Sequence, residues 1–321
     1  MSMSSWFAIR ADLTQQRRLM LGVGSFLLPI LIWCLVSYVP AVWHPMVQIN
    51  RPGDVDYFQV DMLVEKETFK EELKNMEIAG KALPEGTPAN PIYLPAPHQV
   101  LGALYTSFTT PPLQKDGLWL HQSLWSSVKI IFWGFLISSL IGVPLGIFCG
   151  TFGVISRLFE PFIEFFRYLP APAFGALAVA ILGIYGGPKI AIIVIGTFFQ
   201  QVLIIANTTR KIDYALIEAA MTLGSNRIKL IGRVILPGIM PDLYRDQRIL
   251  LGWAWTYLIV AELIGTSSGI TWFITQQARY EHFENVYAAI FIIGLIGLVT
   301  DLFLAWIGKK LFPWDKATNK V

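Results

Sequence analysis

Six stretches of this chain are apolar for long enough to cross a lipid bilayer, at about 19–39, 123–150, 168–186, 188–206, 249–265 and 286–308. A spanning helix needs roughly 20 predominantly apolar residues, and with no water to satisfy backbone groups in hydrocarbon, such runs become helices. Charged residues make up only 15% of the chain and apolar ones 54%, far from the roughly 25% charged of soluble domains. Gly- and Pro-rich breaks and charged clusters separate the runs, and Tyr185-Gly186-Gly187-Pro188-Lys189 is read as a tight turn between the third and fourth. The expectation is an all-α membrane protein with six transmembrane helices. The first run is too long for the apolar part of a cleaved signal and no small-residue cleavage site follows it, so it is read as a retained helix.

Basic residues give the orientation. Arg10, Arg17 and Arg18 precede the first run, which places the N-terminus in the cytoplasm by the positive-inside rule. With six crossings the C-terminus is cytoplasmic too, and sixteen of the 25 basic residues fall on that side. The short outer turns hold only Lys189 and Arg279, and Lys129, inside the second run, lies near enough to its outer end to snorkel outward. The clusters account for the net charge of +3, so nothing points to nucleic acid.

The chain then divides into a cytoplasmic start with the first helix (1–40), an outer segment (41–121), a core of helices (122–312) and a short tail (313–321). The outer segment carries ten acids against six bases. Residues 61–79, with Leu63, Phe69, Leu73 and Met76 among charges, read as an amphipathic helix, and five prolines between Pro84 and Pro97 impose extended chain. Some eighty residues make a small cap on the helix ends rather than a robust independent domain. Cys34 and Cys149 lie in different runs near opposite faces, out of disulfide reach, and the four histidines are scattered. No metal or other cofactor is expected.

The most specific signal sits between the fourth and fifth runs, in the basic loop 207–245. Residues 214–223 are helix formers, Gly224-Ser225-Asn226 breaks them, and 227–235 form a second amphipathic turn that Leu236-Pro237 is read to end, with Pro241 preventing direct continuation into the next crossing. The spacing Glu218-Ala219-Ala220, Gly224, Val234, Leu236-Pro237 resembles the Glu-Ala-Ala loop of the permease subunits of binding-protein-dependent ABC importers, with Val234 where the family writes Ile. Leu94-Pro95-Ala96-Pro97 with Val100 and Leu104, His121-Gln122-Ser123-Leu124 with Gly134, Arg157 through Pro161, Arg167, Pro170 and Ala173, and Leu251 through Trp255, Ala261-Glu262-Leu263 and Gly269-Ile270 extend the resemblance to the nitrate/sulfonate/taurine/bicarbonate branch over about 93–312. Residues 41–92 depart from it as an insertion after the first helix. The resemblance implies the type I importer permease fold with a cytoplasmic coupling helix, in the bacterial inner membrane. Glu218, Ala219, Ala220, Gly224, Leu236 and Pro237 would seat in a separate ABC ATP-binding subunit. The other partners implied are a periplasmic or lipoprotein substrate-binding protein, a second permease subunit forming a homodimer, and membrane lipid. The chain has no G-x-x-x-x-G-K-[ST] phosphate loop, so it is not itself the ATPase and no enzyme activity is assigned to it.

For the translocation path the residues singled out are Gln200, Gln201, Trp253, Trp255, Thr256 and Glu262. Amide, indole and hydroxyl donors suit a small oxyanion, whereas Glu262, an ionisable group inside a run, suits either the path or a structural role as a helix cap or partner of Arg279. Asp301 lies close to the cytoplasmic end of the sixth run. Gly265-Thr266-Ser267-Ser268-Gly269 fits the G-x-S-x-G hydrolase pattern, but it follows a membrane helix with only His282 nearby and is read as a turn. Two other functions stay in view: the same machinery carrying a neutral heterocycle such as a pyrimidine precursor, and a polytopic membrane enzyme using Glu262 and His282.

Overall fold

The computed structural model describes residues 14–112, 119–264 and 268–315, which form two compact units. The first comprises the chain up to Tyr105 together with Tyr280–Tyr287. It opens with α1 (Gln15–Tyr38), a continuous apolar helix with almost nothing buried in the chain. Beyond it, β1 (Met46–Arg51), β2 (Leu63–Glu65) and β3 (Glu85–Ala89) make an antiparallel sheet in the order β2-β1-β3. Alternation dictates β1, where Val47 and Ile49 point inward and their neighbours outward. Pro88 is tolerated because β3 is an edge strand. Against the sheet packs α2 (Lys66–Ala79), ended by Gly80 in the left-handed region at φ 63°. Ile49, Val55, Phe58 and Val64 form the core, closed by Phe69 and Met76. The outer segment is therefore a small layered body with its own core. The helix expected from 61 starts only at Lys66, because Leu63 and Val64 are drawn into the sheet. After the prolines comes α3 (Pro97–Thr109). The end of α1 is tied to this body by Trp33 Nε1 donating to Pro95 O (3.1 Å) and Asn90 Nδ2 to Ser37 O (3.1 Å).

The second unit is helical. Its elements are α4 (Leu120–Thr151), α5 (Gly153–Phe166), α6 (Gly175–Leu182), α7 (Gly186–Arg210), α8 (Tyr214–Thr222), α9 (Arg227–Leu230), α10 (Leu236–Leu263), α11 (Ile270–Arg279) and α12 (Phe283–Leu311), the last beginning in the first unit. The axis of this unit is the α4–α7 pair. Gly134, Ser138, Gly142, Gly146 and Gly150 recur every four residues along α4, and a Cβ on these glycines would meet Ile193, Gln201, Ile205 and Thr209 of α7 at under 3.0 Å. Small residues let two helices in lipid approach closely, which replaces the hydrophobic drive that water would supply. Ser138 Oγ fills its own step of the stripe by donating to Gln201 Oε1 at 2.8 Å. The partners rise together in number, so the two helices run parallel, and residues 152–185 carry the chain back between them.

That return is not the single helix expected over 168–186. Pro170 and Pro172 break it, with a short 3₁₀ turn (Ala171–Phe174) between α5 and α6, and the two segments meet at 88°. Alone, α6 is eight residues long, about 12 Å at 1.5 Å per residue, too short to cross. The turn expected at 185–189 lies earlier, at Gly183 (φ 78°), and α7 already starts at Gly186. Among the described residues four helices (α1, α4, α7 and α12) are apolar and long enough to cross a membrane, five if the bent pair is one span. The run 249–265 forms the end of α10, whose first half carries Asp242, Arg245, Asp246 and Arg248.

The α4 stripe yields a paired prediction. Gly146→Ala places a methyl 2.8 Å from Ile205 Cβ and 2.9 Å from Val202 O, a clash of the kind that costs about 1–3 kcal/mol. Gly294→Ala in α12 meets nothing within 4 Å and gains roughly 0.5–1 kcal/mol of helix propensity. Thermal melting of the purified protein in detergent should move down for the first and not down for the second.

Candidate functional site

At one end of the second unit the chain leaves α7 and builds a protruding two-helix knob. The Asp213 carboxylate accepts from Ala215 N (3.0 Å) and caps α8. Gly224, at φ 79°, takes the left-handed turn that ends α8, with Ser225 N–H donating to Ala220 O (3.0 Å). The Asn226 side chain then accepts from Lys229 N (2.9 Å) and starts α9. Glu218, Ala219 and Gly224 are exposed, Ala220 is half-buried, and Leu223 and Ile228 stand 88% and 82% exposed. The root of the knob is firm, since Ile212, Leu230, Ile231 and Leu236 pack on buried Ile147, Ile205, Ile235 and Ile239.

The prolines do not stop the helix as expected. α9 passes through one wide π-type turn (Ile231–Ile235) straight into α10. Pro237 falls in the first turn of α10, where a missing N–H is tolerated, and Pro241 lies within it. From Arg227 to Leu263 the chain is one helical rod.

Polar contacts fasten that rod to its neighbours. Gln201 is fully buried, its amide donating to Ser139 Oγ (2.9 Å) and Gln247 Oε1 (2.7 Å), so it clamps α4, α7 and α10 together. Thr208 Oγ1 donates to Asp246 Oδ2 (2.5 Å). On the other side Arg248 grips Asp301 of α12 with two nitrogens, Nη2 lying 2.9 Å from both carboxylate oxygens; Asp301, close to the cytoplasmic end in the sequence reading, thus has a fixed cation. Gln200 and Trp255 are half-buried, while Trp253 and Thr256 are exposed, on the face of α10 opposite buried Ala254, Leu258 and Ala261.

At the far end of α10 lies a second polar cluster, deeply buried. Glu262 is 3% exposed. Its carboxylate accepts from Thr271 N (2.8 Å) and from Ser127 Oγ of α4, and that hydroxyl accepts from Ile270 N (2.8 Å). Glu262 is therefore a helix cap, holding the first turn of α11, and not the partner of Arg279. Gly269, at φ 104°, lets the carboxylate sit against the backbone, since a Cβ there would lie 2.1 Å from Glu262 Oε1. Lys189 completes the cluster. Expected on an open turn, it is instead fully buried, donating to Ser268 O (2.9 Å) and Ser268 Oγ (3.0 Å), within electrostatic reach of Glu262. The sequence carried a signal for it: a lysine placed directly before the unbroken apolar run Ile190 to Ile195. Of the hydrolase-like pentapeptide, Gly265, Thr266 and Ser267 lie outside the described residues; His282 sits beside Glu284 (3.2 Å). Lys129 lies over the Trp125 ring at 5.4 Å. Cys34 and Cys149 are free thiols, and among the described residues no group of His, Cys, Asp or Glu is placed to hold a metal.

Residues 142–313 match the family model described as binding-protein-dependent transport system inner membrane component. The chain is similar to the taurine transport system permease protein of Escherichia coli (strain K12), with 30% identity covering 70% of this chain and 81% of the relative. It is also similar to that organism's putative aliphatic sulfonates transport permease protein, with 31% identity covering 70% of this chain and 82% of the relative. Among solved structures, a chain of the MetNI methionine ABC transporter in an inward-facing conformation superposes with a TM-score of 0.52 at 18% identity, covering 62% of this chain and 97% of that one. This likeness establishes the type I importer permease fold of the helical core.

The cap geometry at Gly269 is testable on its own. Gly269→Ala brings a methyl into the Glu262 carboxylate at a backbone angle that side chains avoid, a combination costing about 1–3 kcal/mol. The melting temperature in detergent should fall, whereas Gly252→Ala, with nothing within 4 Å, should not lower it.

Proposed function

This chain belongs to the inner-membrane components of binding-protein-dependent transport systems, as an ABC importer permease, and from that membership we propose that it forms the translocation path for a small oxyanion, a sulfonate first among them. Two relatives carrying that class of cargo in their names support the choice. The observation that carries the coupling role is the knob of α8 and α9, exposed at its tip, rooted in the core and continuous with α10. In this reading Glu218, Ala219, Ala220 and Gly224 seat in a separate ATP-binding subunit. Leu236 and Pro237 join the seat to the α10 rod. A push on the knob then travels along a helix, which transmits displacement where a flexible loop would absorb it.

The cargo arrives on an extracytoplasmic binding protein and crosses between two copies of this chain. Two copies follow from symmetry, because one knob on one bundle is half of a two-fold assembly. In this reading six crossings, with both termini cytoplasmic, put the knob inside and the Glu262 cluster outside; the parallel sense of α4 and α7 fits the one return crossing that the reading puts between them. Trp253 and Thr256, exposed on the single chain, together with half-buried Trp255 and Gln200, line the path and offer N–H and O–H donors to a passing oxyanion. Gln201 and Glu262 stand behind the wall as clamps.

The test is ATPase activity of the reconstituted complex with its binding protein, across taurine, alkanesulfonates, nitrate, bicarbonate and a neutral pyrimidine. Stimulation by one oxyanion alone is expected, and stimulation by the pyrimidine alone overturns the cargo. Glu218→Ala and Gly224→Val, the latter straining a left-handed turn by about 1–2 kcal/mol, should cut uptake about tenfold or more while the complex still hydrolyses ATP. A polytopic membrane enzyme would be indifferent to both.

A further inference from the structure

Lys189 and Glu262 are opposite charges, 0% and 3% exposed, in the apolar interior of a helical bundle. A charge there is expensive, and here both are aimed at one short piece of backbone, residues 268–271. Lys189 holds Ser268 through its carbonyl and its hydroxyl, Glu262 holds the Thr271 amide, and Ser127, bonded to Glu262, holds the Ile270 amide. Three helices, α4, α7 and α10, thus converge on the first turn of α11. That helix has ten residues, about 15 Å at 1.5 Å per residue, too short to cross the membrane. Only its first residues, Ile270 and Thr271, are buried. Residues 272–278 are half-buried, so it is at its first turn that this clamp fixes the helix.

One of the three clamping helices is the rod that begins at the knob. Residue 262 lies at the opposite end of an unbroken helix from Arg227. We propose that Lys189 and Glu262 are positioning residues of a gate at the outer end of the path. They hold α11 across that end, and movement of α10, driven from residues 214–226, withdraws Glu262 from the Thr271 amide and frees α11. This inference rests on the importer reading given above. It assigns no solute contact to either residue; both act through the position of α11.

The experiment uses the full complex in proteoliposomes with ATP-binding subunits and binding protein. Removing one charge strands the other, so Lys189→Met or Glu262→Gln alone is expected to lower the melting temperature. The double variant Lys189→Met with Glu262→Gln strands no charge and should melt close to wild type. With the clamp weakened, its ATPase in the absence of binding protein should rise at least about fivefold, a change in the usual range of coupling between sites. Its uptake should fall about tenfold. A double variant with wild-type uptake and wild-type dependence on binding protein overturns the gate. So does one that melts low and loses ATPase and uptake together, the signature of a purely structural pair. Hydrogen exchange on the wild-type complex gives an answer even if the variant does not accumulate. The Ile270 and Thr271 amides should lose protection when ATP-binding subunits are trapped closed with vanadate, and unchanged protection there overturns the proposal. Exchange does not depend on the solute, so a wild-type complex that takes up no oxyanion yet releases these amides counts against the cargo and not the gate.

Discussion

The close contact of α4 with α7 is the constraint from which the rest of the helical unit follows. Five small residues at intervals of four face a row that runs Ile193, Thr197, Gln201, Ile205 and Thr209 on the partner, and all five of these side chains are buried. In lipid the gain comes from packing rather than from expelling water, so backbone proximity matters more than side-chain size. Because the two helices run parallel, the chain has to return between them, and the bent α5–α6 pair is that return. Because they touch so closely, a third helix can reach both. α10 does so, through Gln247 on Gln201 and Ser139 and through Asp246 on Thr208.

The polar groups of this interior sort by what they hold. Gln201 ties three helices at one level, Arg248 and Asp301 tie α10 to α12, and Lys189, Glu262 and Ser127 tie three helices to the start of α11. Each buried donor or acceptor in such a place costs free energy unless it is paired, so these pairings specify the arrangement more sharply than the surrounding leucines and isoleucines do. The rod from Arg227 to Leu263 links the levels. Its outward face, with Trp253 at 42% exposure, is the face given above to the path.

Much of this was legible in the sequence, and the exceptions have physical causes. Apolar runs and the Glu218 to Pro237 spacing marked the membrane class and the knob, because both are local patterns. The continuity of α9 into α10 was hidden by Pro237 and Pro241, which read as stops. Whether a proline stops a helix depends on its position within the first turns and on a wide turn just before it, and spacing does not report either. The buried state of Lys189 depends on residues 79 positions away. The sheet of the outer segment is hidden in the sequence for a similar reason. β2 is three residues long, too short to alternate visibly, and becomes a strand only because β1 offers it an edge. Gln201 stands out in the sequence by its chemistry, but its saturation by Ser139 and Gln247 is a fact of three dimensions.

The four-residue interval on α4 also limits how the bundle can move. Side chains of α7 nest against glycines one turn apart, so the pair has no continuum of offsets. The next arrangement that fits glycine against bulk lies four residues along, about 6 Å at 1.5 Å per residue. That step would break the register in which Ser138, Ser139 and Gln247 together satisfy the Gln201 amide. Sliding of this pair therefore costs both packing and hydrogen bonds. Whatever rearrangement carries a solute across must leave α4 and α7 as a single stiff post and be accomplished by the helices that lean on it.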